Sequence, residues 1–124
     1  MQSRRIETPS FAVTDEALAV RRTREHEGVG PISFRRMLDE SAFQSAVDFV
    51  DVTIVPAGST IGSHAHNGTE EIYIILSGTP LVEIDGESRR LTSGDVAVVR
   101  SGGSHSLTND TSHDVRIGVV QVRV

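Results

Sequence analysis

The chain has no cysteine among its 124 residues. Disulfides, thiolate metal sites and thiol nucleophiles are therefore excluded. No apolar run approaches the length of a membrane span, so no membrane partner is expected. The opening residues, MQSRRIETPSF, are basic but no apolar stretch follows them. A secretory leader is not expected there, and a cytoplasmic location is. A basic excess is missing too: 12 Lys and Arg stand against 17 Asp and Glu. Nucleic-acid binders usually show the opposite balance, so no nucleic-acid partner is expected. The arginines fall in small groups (Arg21, Arg22 and Arg24; Arg35 and Arg36; Arg89 and Arg90) that read as solvated faces. The glycine-rich stretches GSTIG and SGGS lack the lysine of a phosphate-binding loop. There is no solenoid-type repeat.

What remains is a chain of one-domain length, able to bury roughly two thirds of its unfolded surface. Residues 1–46 are polar and irregular. Thr14-Asp15-Glu16 has the cap and acidic first turn of a short helix, and Gly28-Val29-Gly30-Pro31 would break it. Ile32, Phe34, Arg36 and Leu38 alternate with Ser33, Arg35 and Met37, as on a strand. From residue 47 the pattern is clearer. VDFVDVTIV (47–55), EIYIIL (71–76), LVEI (81–84), SRRL (88–91), DVAVV (95–99), HSLT (105–108) and VRIGVVQV (115–122) are separated by turn residues. Many short strands at regular spacing predict an all-β sandwich or barrel. Asp85-Gly86 predicts a two-residue hairpin turn.

The stretch HAHNGTEE (64–71) carries ligand-type residues. His64 and His66 are two apart and share one face of a strand. Asn67-Gly68 is a turn signal. If the chain reverses there as a two-residue hairpin, His64 faces Glu71, and opposed residues point to the same side. Glu71 then joins the two histidines, while Glu70 points away as a surface residue. Two imidazoles and a carboxylate on one face make a three-ligand set for a divalent metal. Histidine pairs at this spacing also occur on exposed strands with no metal.

A second segment, GDVAVVRSGGSHSLTN (94–109), places His105 after another glycine-rich turn. Together the two segments resemble the cupin family. Gly58, His64, His66, Glu71 and Gly78 satisfy every spacing of the first cupin motif. Gly94, Gly102, His105 and Asn109 satisfy the second, with Arg100 standing where the motif has proline. The resemblance covers about residues 47–124. It implies a jelly-roll β-barrel (a double-stranded β-helix) behind a short irregular N-terminal extension over residues 1–46. It also implies that His64, His66, Glu71 and His105 converge inside the barrel on one divalent ion: iron, manganese, nickel, cobalt or zinc.

Cupins include dioxygenases, decarboxylases, isomerases, cyclases, sugar-binding regulators and storage proteins, so the resemblance does not fix an activity. The expectation is a small metalloenzyme acting on a small oxygenated organic molecule, either a dioxygenase or a non-redox isomerase, cyclase or decarboxylase. The alternative is a non-catalytic small-ligand-binding or sensor cupin. Tyr73 shares the parity of Glu71 and is either a proton or hydrogen-bond donor in the pocket or a core aromatic. Arg100 reads as a turn arginine with a possible reach to an anionic ligand, Asn109 as a turn residue, and His26 and His113 as surface histidines. VDFVDVTIV and EIYIIL are apolar on both faces, and such strands are covered on both faces. A homodimer is therefore expected, with the strand near Ile32–Leu38 as the candidate cover, within or between chains.

Overall fold

Short β-branched segments closed by turns build two facing antiparallel sheets. The computed structural model describes residues 10–13 and 19–124, so the helix expected at Thr14-Asp15-Glu16 lies outside the described residues. One sheet is ordered β1 (Val20–Arg22), β2 (Ile32–Asp39), β3 (Val47–Val55), β10 (Val115–Arg123), β5 (Thr69–Ser77) and β8 (Val96–Val99). The other is ordered β4 (Thr60–Ala65), β9 (Ser104–Thr108), β6 (Leu81–Ile84) and β7 (Glu87–Arg90). Short 3₁₀ turns at Glu25–Glu27 and Glu40–Ala42 are the helical pieces among the described residues. None of the described helices is long and apolar enough to cross a membrane. The chain passes from one sheet to the other after β3, β4, β5, β7, β8 and β9. This is the expected jelly-roll arrangement.

Alternation along each strand decides what is buried. Val55, Ile75, Val115 and Ile117 point between the sheets from the larger one, and Ile61, Val82 and Leu107 meet them from the smaller one. Full burial of one such side chain stabilises the fold by roughly 1.5–3 kcal/mol. Asp85 and Gly86 both have positive φ, 49° and 84°, and Ile84 pairs with Glu87 across them, so the predicted two-residue turn forms.

The strand expected at Ile32–Leu38 forms as β2. It pairs edge to edge with β3 and so widens the larger sheet in its own plane. The outward side chains of that sheet include Ile72, Ile74, Leu76, Val96 and Val98. Of these, Leu76, Val96 and Val98 are 43%, 59% and 46% exposed.

Candidate metal centre

The hairpin expected across Asn67-Gly68 does not form. β4 pairs with β9, whereas β5 pairs with β10 and β8, so the link carries the chain from one sheet to the other. The physical reason lies in the partners of the link. His66 N–H donates to the Gly103 carbonyl and Gly102 N–H to the His66 carbonyl, so the His66 backbone is paired with the turn before β9 and not with β5. Glu71 reaches the histidines across the gap between sheets. Its inward direction is as expected: Glu71 is buried and Glu70 half-buried on the outer side.

A β-bulge sets the histidines. Ile61 pairs with Leu107 and His64 with His105, so Gly62 and Ser63 together oppose one residue of β9. Strict alternation from the buried Ile61 would turn His64 outward. The extra residue reverses the parity, and both His64 and His66 face inward.

The four side chains meet. Nε2 of His105 lies 3.0 Å from Nε2 of His64 and 3.1 Å from Nε2 of His66. Glu71 Oε1 is 3.3 Å from His105 Nε2 and 3.8 Å from His66 Nε2. One ligand atom from each of the four lies within 4.8 Å of every other. Nitrogens bound to one ion at about 2.1 Å and at right angles to each other would be about 3.0 Å apart, so the spacing fits a shared divalent metal. The ring orientations fit as well. His64 Nδ1 donates to the Gly62 carbonyl at 2.8 Å, which leaves its Nε2 lone pair free. His66 Nδ1 lies 3.1 Å from the Thr69 hydroxyl, which accepts from it when Nε2 is a ligand. Burial lowers the His64 pKa to about 4 and also lowers that of His66, so both imidazoles are neutral donors near neutral pH.

Tyr73 is a core aromatic, one of the two places the sequence allowed for it. Its ring packs in the core and stacks on His105 at 4.6 Å, while its hydroxyl lies 3.4 Å from His105 Nε2. Burial raises its pKa well above 10, so the phenol keeps its proton. Asn109 is a buried turn organiser: its amide donates to the carbonyls of Val55 and His113 at 2.8 and 2.7 Å. Arg100 is exposed in its turn and does not line the cavity. The turn closes without proline, because Gly103 N–H donates to the Arg100 carbonyl at 2.9 Å. His113 is exposed, as expected.

His26 departs from expectation. It is exposed, yet its ring lies on His64 with centroids 3.6 Å apart and planes 11° from parallel. It caps a cavity of about 280 Å³ that opens beside the four-residue group. Arg22, Phe34, Arg36, Phe49 and Asp51 line the same cavity, so two of the arginines read as solvated have a second role. Arg36 grips Asp51 through two hydrogen bonds of 3.0 and 3.1 Å and lays its guanidinium 4.0 Å from the centre of the Phe49 ring. Burial raises the Asp51 pKa against the pull of Arg36, and the bond to Asp51 raises that of Arg36. The alternation in β2 already carried the signal for Phe34 and Arg36, since both share parity with the buried Ile32. No sequence signal placed His26 over His64.

Residues 50–121 match the family model for a cupin domain. An "Oxalate-binding protein" of Thermotoga maritima is 32% identical over 88 residues, which is 71% of this chain and 73% of that protein. A crystal structure from the same organism, described as a predicted oxalate decarboxylase, superposes with a TM-score of 0.88 at 27% identity, covering 92% of this chain and 99% of the other. A Cupin 2 conserved barrel domain protein from Salinispora arenicola shares the fold, with a TM-score of 0.74 at 19% identity over 95% of this chain and 92% of its own. With the family model matching more than half of its length, and with motif residues and fold in agreement, the chain belongs to the cupin family.

Proposed function

We propose that this cupin holds one divalent ion through His64, His66, Glu71 and His105, and that it is an enzyme acting on a small oxygenated organic molecule bound beside that ion. The observation that carries this reading is the meeting of three histidine Nε2 atoms and one carboxylate oxygen at the side of an accessible cavity. Imidazole and carboxylate donors suit iron, manganese, nickel, cobalt or zinc. When bound, such an ion supplies Lewis-acid polarisation of a ligand oxygen and, for a redox-active metal, dioxygen chemistry.

The protein's own groups have separate tasks in this account. The Gly62 carbonyl and the Thr69 hydroxyl orient His64 and His66. Glu71 contributes the negative charge that lowers a divalent ion to a net +1. Tyr73, protonated and beside His105 Nε2, is the residue we assign to donate a hydrogen bond or proton to a ligand oxygen. The names of the Thermotoga maritima relative and of the Thermotoga maritima crystal structure support a small carboxylate ligand. They favour decarboxylase-type, non-redox chemistry over a dioxygenase. They equally support the second reading, a non-catalytic small-ligand-binding cupin. The same proposal takes the protein as a cytoplasmic homodimer, with the apolar outer side of β5 and β8 as the support for assembly.

Metal analysis followed by oxygen-uptake and carbon-dioxide-release assays on small carboxylates tests the proposal. Turnover that needs the metal is the expected result. Saturable binding without turnover of any of them would favour the binding cupin.

A further inference from the structure

The cavity extends well beyond the metal group, and its far wall is chemically distinct. The strand register shows how. Gln121 pairs with Glu71 on one side and with Phe49 on the other, so Glu71 and Phe49 stand in one row two strands apart. At about 4.8 Å per strand that is roughly 10 Å. In the next row Tyr73, Val119, Asp51 and Arg36 follow one another, which puts Arg36 three strands from Tyr73. A molecule that touches the metal group can therefore extend over β10 toward Phe49 and Arg36.

The far wall is built of guanidiniums set over the Phe49 and Phe34 rings, and its charges are already paired. Both hydrogen bonds in the Arg36–Asp51 pair engage the edge of the guanidinium, leaving its plane against Phe49. Arg22 pairs with Glu25 at 3.3 Å and lies 4.8 Å from the centre of the Phe34 ring. Neither arginine therefore brings an uncompensated charge for a second carboxylate. At the near end, a divalent ion with Glu71 leaves +1, which one carboxylate neutralises.

Resting on the metal-centre reading above, we propose that the ligand is a monoanionic organic acid with two parts. A 2-oxo or 2-hydroxy carboxylate chelates the metal. A planar apolar body lies in the part of the cavity lined by Phe49, Phe34 and the paired guanidiniums of Arg36 and Arg22. Oxalate, which has two carboxylates and no hydrocarbon, fills only the near end.

Calorimetric titrations of the metal-loaded protein with four probes test this: oxalate, pyruvate, phenylpyruvate and 3-phenylpropanoate. Phenylpyruvate is expected to bind about tenfold or more tighter than pyruvate and oxalate, equivalent to about 1.4 kcal/mol or more. Phenylpropanoate, which lacks the second chelating oxygen, is expected to bind at least tenfold more weakly than phenylpyruvate. Phe49→Ala should remove the advantage of phenylpyruvate and leave oxalate unchanged. The comparison of probes on the unaltered protein decides the matter even if that variant does not fold. Equal affinities for pyruvate and phenylpyruvate, or tightest binding of oxalate, overturn this inference while the metal centre stands. Failure to load any metal overturns the metal reading and this inference with it.

Discussion

The ring of His26 lies flat on the ring of His64, 3.6 Å from centroid to centroid. His26 comes from a 3₁₀ turn far from both cupin motifs and holds a left-handed backbone, φ 50°, as does Glu27 at φ 62°. Two successive non-glycine residues in that region are strained, and such strain persists only where the surroundings fix it. Here the turn is pressed backbone to backbone against β4.

Removing the stack should loosen the site. Aromatic pairs contribute about 0.5–1.5 kcal/mol, so His26→Ala is expected to weaken metal binding about two- to tenfold. His26→Phe should restore most of the loss. Competition with a chelator measures both, and an unchanged affinity in His26→Ala would remove His26 from the site.

Gly62 is the point of closest approach between β4 and the turn. A Cβ there would strike the His26 carbonyl oxygen and crowd the Gly28 nitrogen. Gly62→Ala should destabilise the protein by about 1–3 kcal/mol in chemical denaturation. Ser63→Ala, on the exposed side of the same bulge, should stay within about 0.5 kcal/mol. Equal effects would mean that the bulge carries no special constraint.

Acid should weaken the metal-free protein in a defined window. The folded-state pKa of His64 is lowered from 6.5 to about 4, with desolvation as the main cause. A histidine held neutral by folding binds fewer protons in the native state than in the unfolded one. Its contribution is present above pH 6.5 and is lost as pH falls toward 4. Melting temperatures measured without metal should drop across that range. The drop should be smaller in His64→Ala, and an identical profile would refute the assignment.

Assembly is tested by light scattering. Val96 and Val98 on β8, with Leu76 on β5, leave an exposed apolar strip at the sheet edge. A mass of about twice 13.4 kDa is expected. Val98→Asp should lower it toward one chain. A monomeric unaltered protein would end the homodimer proposal and leave the fold untouched.

Much of the fold was legible because period-two alternation and turn residues are local signals. VDFVDVTIV and LVEI match β3 and β6 residue for residue. Glu71 faces inward as expected, but the parity argument for it rested on a hairpin that does not form, and its meeting with the histidines comes from the two facing sheets. The bulge at Gly62 and Ser63 was not legible, because a bulge depends on the partner strand. His26 was hidden for a related reason: its contact with His64 is made by tertiary packing of a turn whose backbone no local pattern announces. The inward parity of Arg36 was visible, but its hold on Asp51 needed the register of β2 against β3.

The most direct test is the metal content of the purified protein after incubation with iron, manganese, nickel, cobalt and zinc salts in turn, measured by elemental analysis beside Glu71→Gln and Glu70→Gln. One ion per chain is expected in the unaltered protein and in Glu70→Gln, whose affinity should shift by no more than about twofold, as for a surface change. Glu71→Gln replaces an anionic ligand and should lose more than about a hundredfold, beyond the cost of an outer-shell change. A protein that takes up none of these ions, or equal losses in the two variants, would contradict the metal centre.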